Sequence, residues 1–119
     1  MVKDFLERIF WVESQLQLAH WQETRGFHHE MLGKFYKKIG KGFDKLVECY
    51  LGDRTNQIVI SEALYKLDNN IDLQEIINHL RIFLDDLHED IQFSERGLNN
   101  LVDDLYNITE QYSYLLNKK

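Results

Sequence analysis

Four residues of this chain have the types and spacing to hold a transition metal: His20, His29, Asp44 and Glu48. Imidazole nitrogen combined with carboxylate oxygen suits the first-row metals. His20 and His29 flank a short break between two expected helices, which sets them at similar height on antiparallel neighbours. Asp44 and Glu48, four residues apart, share a face of the second helix. Asp44 lies fifteen residues beyond His29, about 22 Å along a helix rising 1.5 Å per residue. One copy of the helix cannot bring the two halves together, but two copies can. An antiparallel pair of second helices, with its two-fold axis beside Tyr36 and Lys37, places His29 by the partner's Asp44. The same axis places Gly33 by the partner's Gly40, because the two pairs share a midpoint. Such an interface is isologous and yields two equivalent sites. It would also explain glycines inside a helix, where each costs about 1 kcal/mol relative to alanine. These residues have ordinary uses as well. Histidines near a helix start cap or hydrogen-bond, and acidic pairs four apart are common on solvated helices.

Hydrophobic periodicity predicts the elements that carry these residues. Phe5, Ile9, Val12, Leu16 and Ala19 step by four and three along a first helix from about Lys3 to Glu23. Gly26 suits the left-handed position after a helix end. A second helix, from Phe27 or His28 to Leu51, carries Leu32, Phe35, Ile39, Phe43, Leu46 and Tyr50 on one arc. Lys34, Lys37, Lys38, Lys41 and Lys45 form its opposite, solvated face. Asp72 can cap a third helix, with Glu75 placed for the reciprocal bond of a capping box. Its stripe is Leu73, Ile77, Leu80, Leu84, Leu87 and Ile91. After a break at Ser94–Gly97, a fourth helix presents Leu98, Leu101, Leu105, Ile108, Tyr112 and Leu115.

Residues 52–71 interrupt this pattern, with a short helical piece expected from Ser61 to Leu67. Turns between neighbouring antiparallel helices take roughly 2–8 residues, so this stretch suits a crossover along the bundle. The expected fold is all-α, one domain over residues 1–119. It is a four-helix bundle with a long crossover between helices two and three, the ferritin-like connectivity.

Composition narrows the function. No apolar run approaches the roughly 20 residues of a membrane span, and no signal-peptide pattern precedes the first helix. The net charge of −6 argues against nucleic-acid binding. A single cysteine, Cys49, excludes a disulfide framework within one chain and fits a reducing, cytoplasmic compartment. The small, proline-free chain, rich in lysine and asparagine, also suits a phage-encoded protein in a host cytoplasm.

The stretch HWQETRGFHHEMLGKFYKKIGKGFDKLVE resembles the Dps family of mini-ferritins, ferritin-like proteins that oxidise iron and assemble into hollow shells. The match rests on His20-Trp21, His29-Glu30, Asp44 and Glu48 at the family's spacings, and it covers roughly residues 5–51. The resemblance implies that His20 and His29 of one subunit, with Asp44 and Glu48 of another, bind iron at a dimer interface. There Fe(II) would be oxidised to Fe(III) by peroxide or oxygen, with Trp21 near the site or simply packed at the helix end. Gly33 departs from the pattern, because the family has a carboxylate ligand at that position. The turn between the first two helices is also shorter, and His28 is available in place of either histidine. His79 and His88 suit surface or interhelix positions, with His88 close enough to the third-helix stripe for partial burial.

Two functions follow as expectations. One is a Dps-like iron-binding protein with ferroxidase activity, a homodimer or larger homo-oligomer. The other is a non-catalytic oligomer of the same fold that binds a protein or an anionic ligand as an inhibitory or accessory partner.

Overall fold

The computed structural model describes residues 4–54, 66–91 and 95–117. Four helices hold most of them: α1 Phe5–Gln22, α2 Gly26–Arg54, α3 Leu73–Asp90 and α4 Arg96–Leu116. No strand occurs among the described residues, and no described helix is long and apolar enough to cross a membrane. The 29 residues of α2 extend about 44 Å at the helical rise. That length equals the 44 Å long axis of the molecule, so α2 is its spine.

α1 and α4 each pack on both α2 and α3, which leaves α1 diagonal to α4 and α2 diagonal to α3. The helix directions follow from which ends meet. Phe5 stacks on Tyr50 with ring centroids 4.6 Å apart, joining the start of α1 to the end of α2. The Tyr50 hydroxyl donates to Asp90 Oδ2 at 2.7 Å, joining the ends of α2 and α3. α2 and α3 therefore run the same way, so the connection between them starts where α2 ends and finishes at the opposite end of the bundle. The short helix expected from Ser61 to Leu67 lies, as far as Tyr65, outside the described residues; Lys66 and Leu67 are not helical.

The last part of that connection is fastened to α1. Buried Gln15 donates its amide to the Asp68 carbonyl at 3.2 Å and accepts from the Asp68 N–H at 2.7 Å. Trp11 Nε1 donates to the Lys66 carbonyl at 3.1 Å. Asp72 then caps α3 by accepting from the Gln74 N–H at 3.1 Å. The expected reciprocal bond from Glu75 is not made.

All six residues of the α2 arc are buried. The α3 stripe is buried from Ile77 to Ile91, and Ile76 and Phe83 join it because α3 faces two neighbours rather than one. On α4 the buried face is rotated from the expected one. Leu98, Val102, Leu105, Thr109, Tyr112 and Leu116 are inside, while Leu101, Ile108 and Leu115 are half-buried flanks. Thr109 tolerates this because its hydroxyl donates to the Leu105 carbonyl at 2.8 Å, one turn earlier.

At Gly42, α2 comes close to α4. A Cβ there would run into Leu105 Cδ2, whereas a Cβ at Gly52, on the same helix, meets nothing within 4 Å. Overpacking a core costs typically 1–3 kcal/mol, and replacing an exposed helical glycine by alanine gains up to about 1 kcal/mol. Urea unfolding should therefore show Gly42→Ala destabilised by about 1–2 kcal/mol and Gly52→Ala stabilised. Equal gains in both variants would contradict the close α2–α4 contact.

Candidate functional site

The turn joining α1 to α2 is the first determinant of the site. Glu23 Oε1 accepts from the Arg25 N–H and from Arg25 Nε, both at 3.0 Å, and Oε2 accepts from Arg25 Nη2 at 3.2 Å. These bonds hold the Glu23 carboxyl down at about 2, well below its ordinary 4.5. The Arg25 carbonyl accepts from the His29 N–H at 2.8 Å and so begins α2. Gly26 is the first residue of that helix and has no positive φ, contrary to the left-handed closing role its type suggests. A charged side-chain clamp makes the turn instead of a glycine.

This turn sets His20 and His29 face to face. Their rings stack with centroids 4.1 Å apart and planes 20° from parallel. His20 Nδ1 donates to the His29 carbonyl at 2.7 Å, and His29 Nδ1 donates to the His20 carbonyl at 2.7 Å. A carbonyl can only accept, so each neutral ring carries its proton on Nδ1 and leaves the Nε2 lone pair unprotonated. The His20 carbonyl lies in the last turn of α1, where helices leave acceptors unpaired. His29 therefore also closes the C-terminus of α1. Imidazoles that bind metals almost always donate their other N–H in this way, to a backbone carbonyl or a carboxylate. In the neutral form, each ring thus holds the tautomer that ligation through Nε2 requires.

Gly33 is part of the same unit. A Cβ at position 33 would sit 2.8 Å from His20 Cε1, so the ring of His20 occupies the space a side chain would fill. This corrects the expectation that Gly33 serves contact with a partner helix. Its neighbour is His20 of its own chain. A carboxylate cannot stand at position 33 while His20 keeps this pose.

Asp44 and Glu48 are exposed on α2, far from the histidines of the same chain. Among the described residues no three His, Cys, Asp or Glu side chains gather around a common point. The structure brings His20 to His29 but joins neither to Asp44 or Glu48 within one copy, as the helix length dictates. Trp21, beside His20, is 66% exposed, so it does not pack in the core. Phe27, across the turn, is 46% exposed and adds a second open aromatic ring. His28 is buried and meets Phe27 edge-on, which removes it as a stand-in for either histidine of the pair. His79 is exposed and lies against Trp11, and His88 is exposed rather than partly buried. Cys49 packs against the core.

One acidic residue of this face escapes a reading by periodicity. Glu13 on α1 lies over Gly40, its Oε1 3.8 Å from where a Cβ would be. Burial, and next the charge of Asp44, raise the Glu13 carboxyl above its ordinary 4.5. With Asp44 it borders an open groove of about 390 Å³ between α1 and α2, walled by Leu6, Phe10, Phe43 and Val47. Among the described residues Glu13 has no hydrogen bond and no ion pair. The only hint in the sequence is its place seven residues before His20, on the same side of α1.

The model of a family described as "Family of unknown function (DUF5856)" matches residues 20–116, from His20 through the end of α4. No curated protein and no solved structure matches the chain.

The histidine pair makes a direct spectroscopic prediction. Nitrogen-15 NMR of the side chains at neutral to alkaline pH should show both His20 and His29 protonated on Nδ1, the minority tautomer of free imidazole. Gly33→Ala should displace His20, return both rings to the Nε2-protonated form and lower stability by about 1–3 kcal/mol. Nε2 protonation of both rings in the unmodified protein would contradict the paired geometry.

Proposed function

We propose that this chain, which belongs to the DUF5856 family, is a Dps-like protein that binds Fe(II) between two copies of itself and promotes its oxidation. The observation that carries the reading is the reciprocal His20–His29 pair, whose Nδ1 hydrogen bonds leave Nε2 of each neutral ring without a proton. In the two-fold arrangement, His20 and His29 of one copy face the partner's Asp44, with the partner's Glu48 one turn farther along. A symmetric dimer of this kind carries two equivalent sites. Iron is the substrate. Two Fe(II) ions each give one electron to a hydrogen peroxide molecule, which takes up two protons and leaves as two waters. Carboxylates favour the ferric product through its higher charge, while the imidazoles hold the ion in place.

Connectivity supports the same reading. A bundle whose second and third helices run the same way, joined by a long connection from end to end, has the ferritin-like plan. The assembly is a homodimer or a larger homo-oligomer, and a single cysteine suits a cytoplasmic setting. One observation favours the alternative of a non-catalytic binding protein of the same fold. The space for the carboxylate that Dps-like proteins carry four residues after the first α2 histidine is filled here by His20.

Anaerobic titration with Fe(II), followed by peroxide, separates the two. The ferroxidase reading predicts saturable binding, ferric formation faster than in buffer, and at least a tenfold loss of affinity in His29→Ala and in Asp44→Asn, the scale seen when metal-site groups are removed. A discrete oligomer by light scattering that neither binds Fe(II) saturably nor accelerates its oxidation would instead establish the non-catalytic reading.

A further inference from the structure

Two surfaces of this bundle carry opposite charges at the same spacing. Lys38, Lys41 and Lys45 on α2 stand three and four residues apart, and all are exposed. They rim an open groove of about 210 Å³ between α2 and α4, floored by Leu101, Leu105 and Ile108. Lys38 lies over the Tyr112 ring, its Nζ 5.4 Å from the centroid. Lys34 pairs with Glu30 at 3.4 Å, but Lys41 and Lys45 have no ion pair among the described residues. Asp104 is the one acidic residue lining the groove.

The second surface is on α3, which is diagonal to α2. Ile82, Asp85 and Glu89 repeat the intervals of three and four, and all are exposed. Each set rises about 10.5 Å along its helix. Ile82 is 55% exposed, an apolar side chain on an otherwise polar ridge. The cations nearest this ridge are already engaged: Arg8 holds Asp86 at 2.9 Å and Arg81 holds Glu110. Asp85 and Glu89 have no ion pair among the described residues. Because the two surfaces lie on diagonal helices, they cannot meet within one copy.

We propose that the lysine groove receives the acidic α3 ridge of a second copy of this chain. Equal intervals set Ile82 level with Lys38, Asp85 with Lys41 and Glu89 with Lys45 when the two helices run parallel. An apolar centre inside a charged rim is the usual anatomy of a protein interface. Exposed ion pairs contribute little singly, so Ile82 against the leucine and isoleucine floor is the anchor. The charges fix the register and speed the encounter. Groove and ridge are different surfaces, so the contact is heterologous and builds a ring or an open array. It uses the α4 flank of α2, whereas Asp44 borders the groove on the α1 flank. The contact is therefore separate from the two-fold of the iron reading and needs no metal.

Sedimentation of the metal-free full chain over a range of concentrations tests it. The unmodified protein should associate beyond a dimer, and salt near 0.5 M should weaken that association roughly tenfold. Lys41→Glu with Lys45→Glu should abolish it, as should Asp85→Lys with Glu89→Lys. Mixed together, these two variants offer each other opposite charges at both surfaces and should associate again. A chain carrying all four substitutions should associate by itself, and circular dichroism should show every variant as helical as the parent. Undiminished association in either variant alone, or no recovery in the mixture and the four-fold variant, would overturn the proposal. An unmodified protein that never exceeds a dimer would overturn it as well. Groove resonances that then shifted with octanoate, or with an acidic helical peptide, would assign the groove to a small amphipathic anion or to a foreign protein. Fe(II) binding is read in a separate titration, so failure of this contact leaves that reading standing.

Discussion

The reciprocal bond between His20 and His29 is the constraint on which the functional face depends. It ties the end of one helix to the beginning of the next through two ring-to-carbonyl hydrogen bonds of 2.7 Å. Such bonds are worth individually about 0.5–1.5 kcal/mol, and here they also satisfy an acceptor at the α1 terminus. Their greater consequence is chemical. With the proton of each neutral ring on Nδ1, Nε2 is the nitrogen left without one.

That constraint propagates along α2. Stacked imidazoles need a notch, and Gly33 provides it at the cost of helix propensity. The same helix gives up a side chain at Gly42, where a Cβ would run into Leu105. Five glycines in one long helix would weaken it in isolation. Six buried residues from Leu32 to Tyr50 offset that loss by packing into the bundle, and the Phe5–Tyr50 and Phe35–Tyr112 stacks anchor its two halves. Helix α2 is held by tertiary contacts, which frees selected positions to accommodate polar side chains from α1.

Much of the fold was legible in the spacing of apolar residues. The arc on α2 and most of the α3 stripe need only helical periodicity, and Asp72 announces its helix by residue type. The α4 face was legible in part: Leu98, Leu105 and Tyr112 are inside as expected, while Thr109 and Ser113, polar by type, fall outside an apolar stripe. Their hydroxyls find partners within the bundle, Thr109 on its own helix and Ser113 with Arg81 at 3.4 Å. Around the site, the spacing of His20 and His29 places them at one height. It does not reveal that each ring bonds the other's backbone, since that depends on the Glu23–Arg25 clamp. Gly26 misleads for the same reason. Gly33 invites an intermolecular explanation until the ring of His20 is seen against it, and Glu13 is hidden because one acidic residue beside an apolar stripe usually faces water.

The central claim is that one copy supplies imidazoles and the other carboxylates. Mixing two defective chains tests it most directly. One chain carries His20→Ala and His29→Ala; the other carries Asp44→Asn and Glu48→Gln. Each alone should bind Fe(II) poorly. After denaturation and refolding together, half of the dimers are mixed, and each mixed dimer regains one of its two sites, so about a quarter of the normal binding capacity returns. Recovery at that level would establish a site shared between subunits. Normal capacity in either parent, or no recovery in a mixture shown to contain mixed dimers, would contradict it.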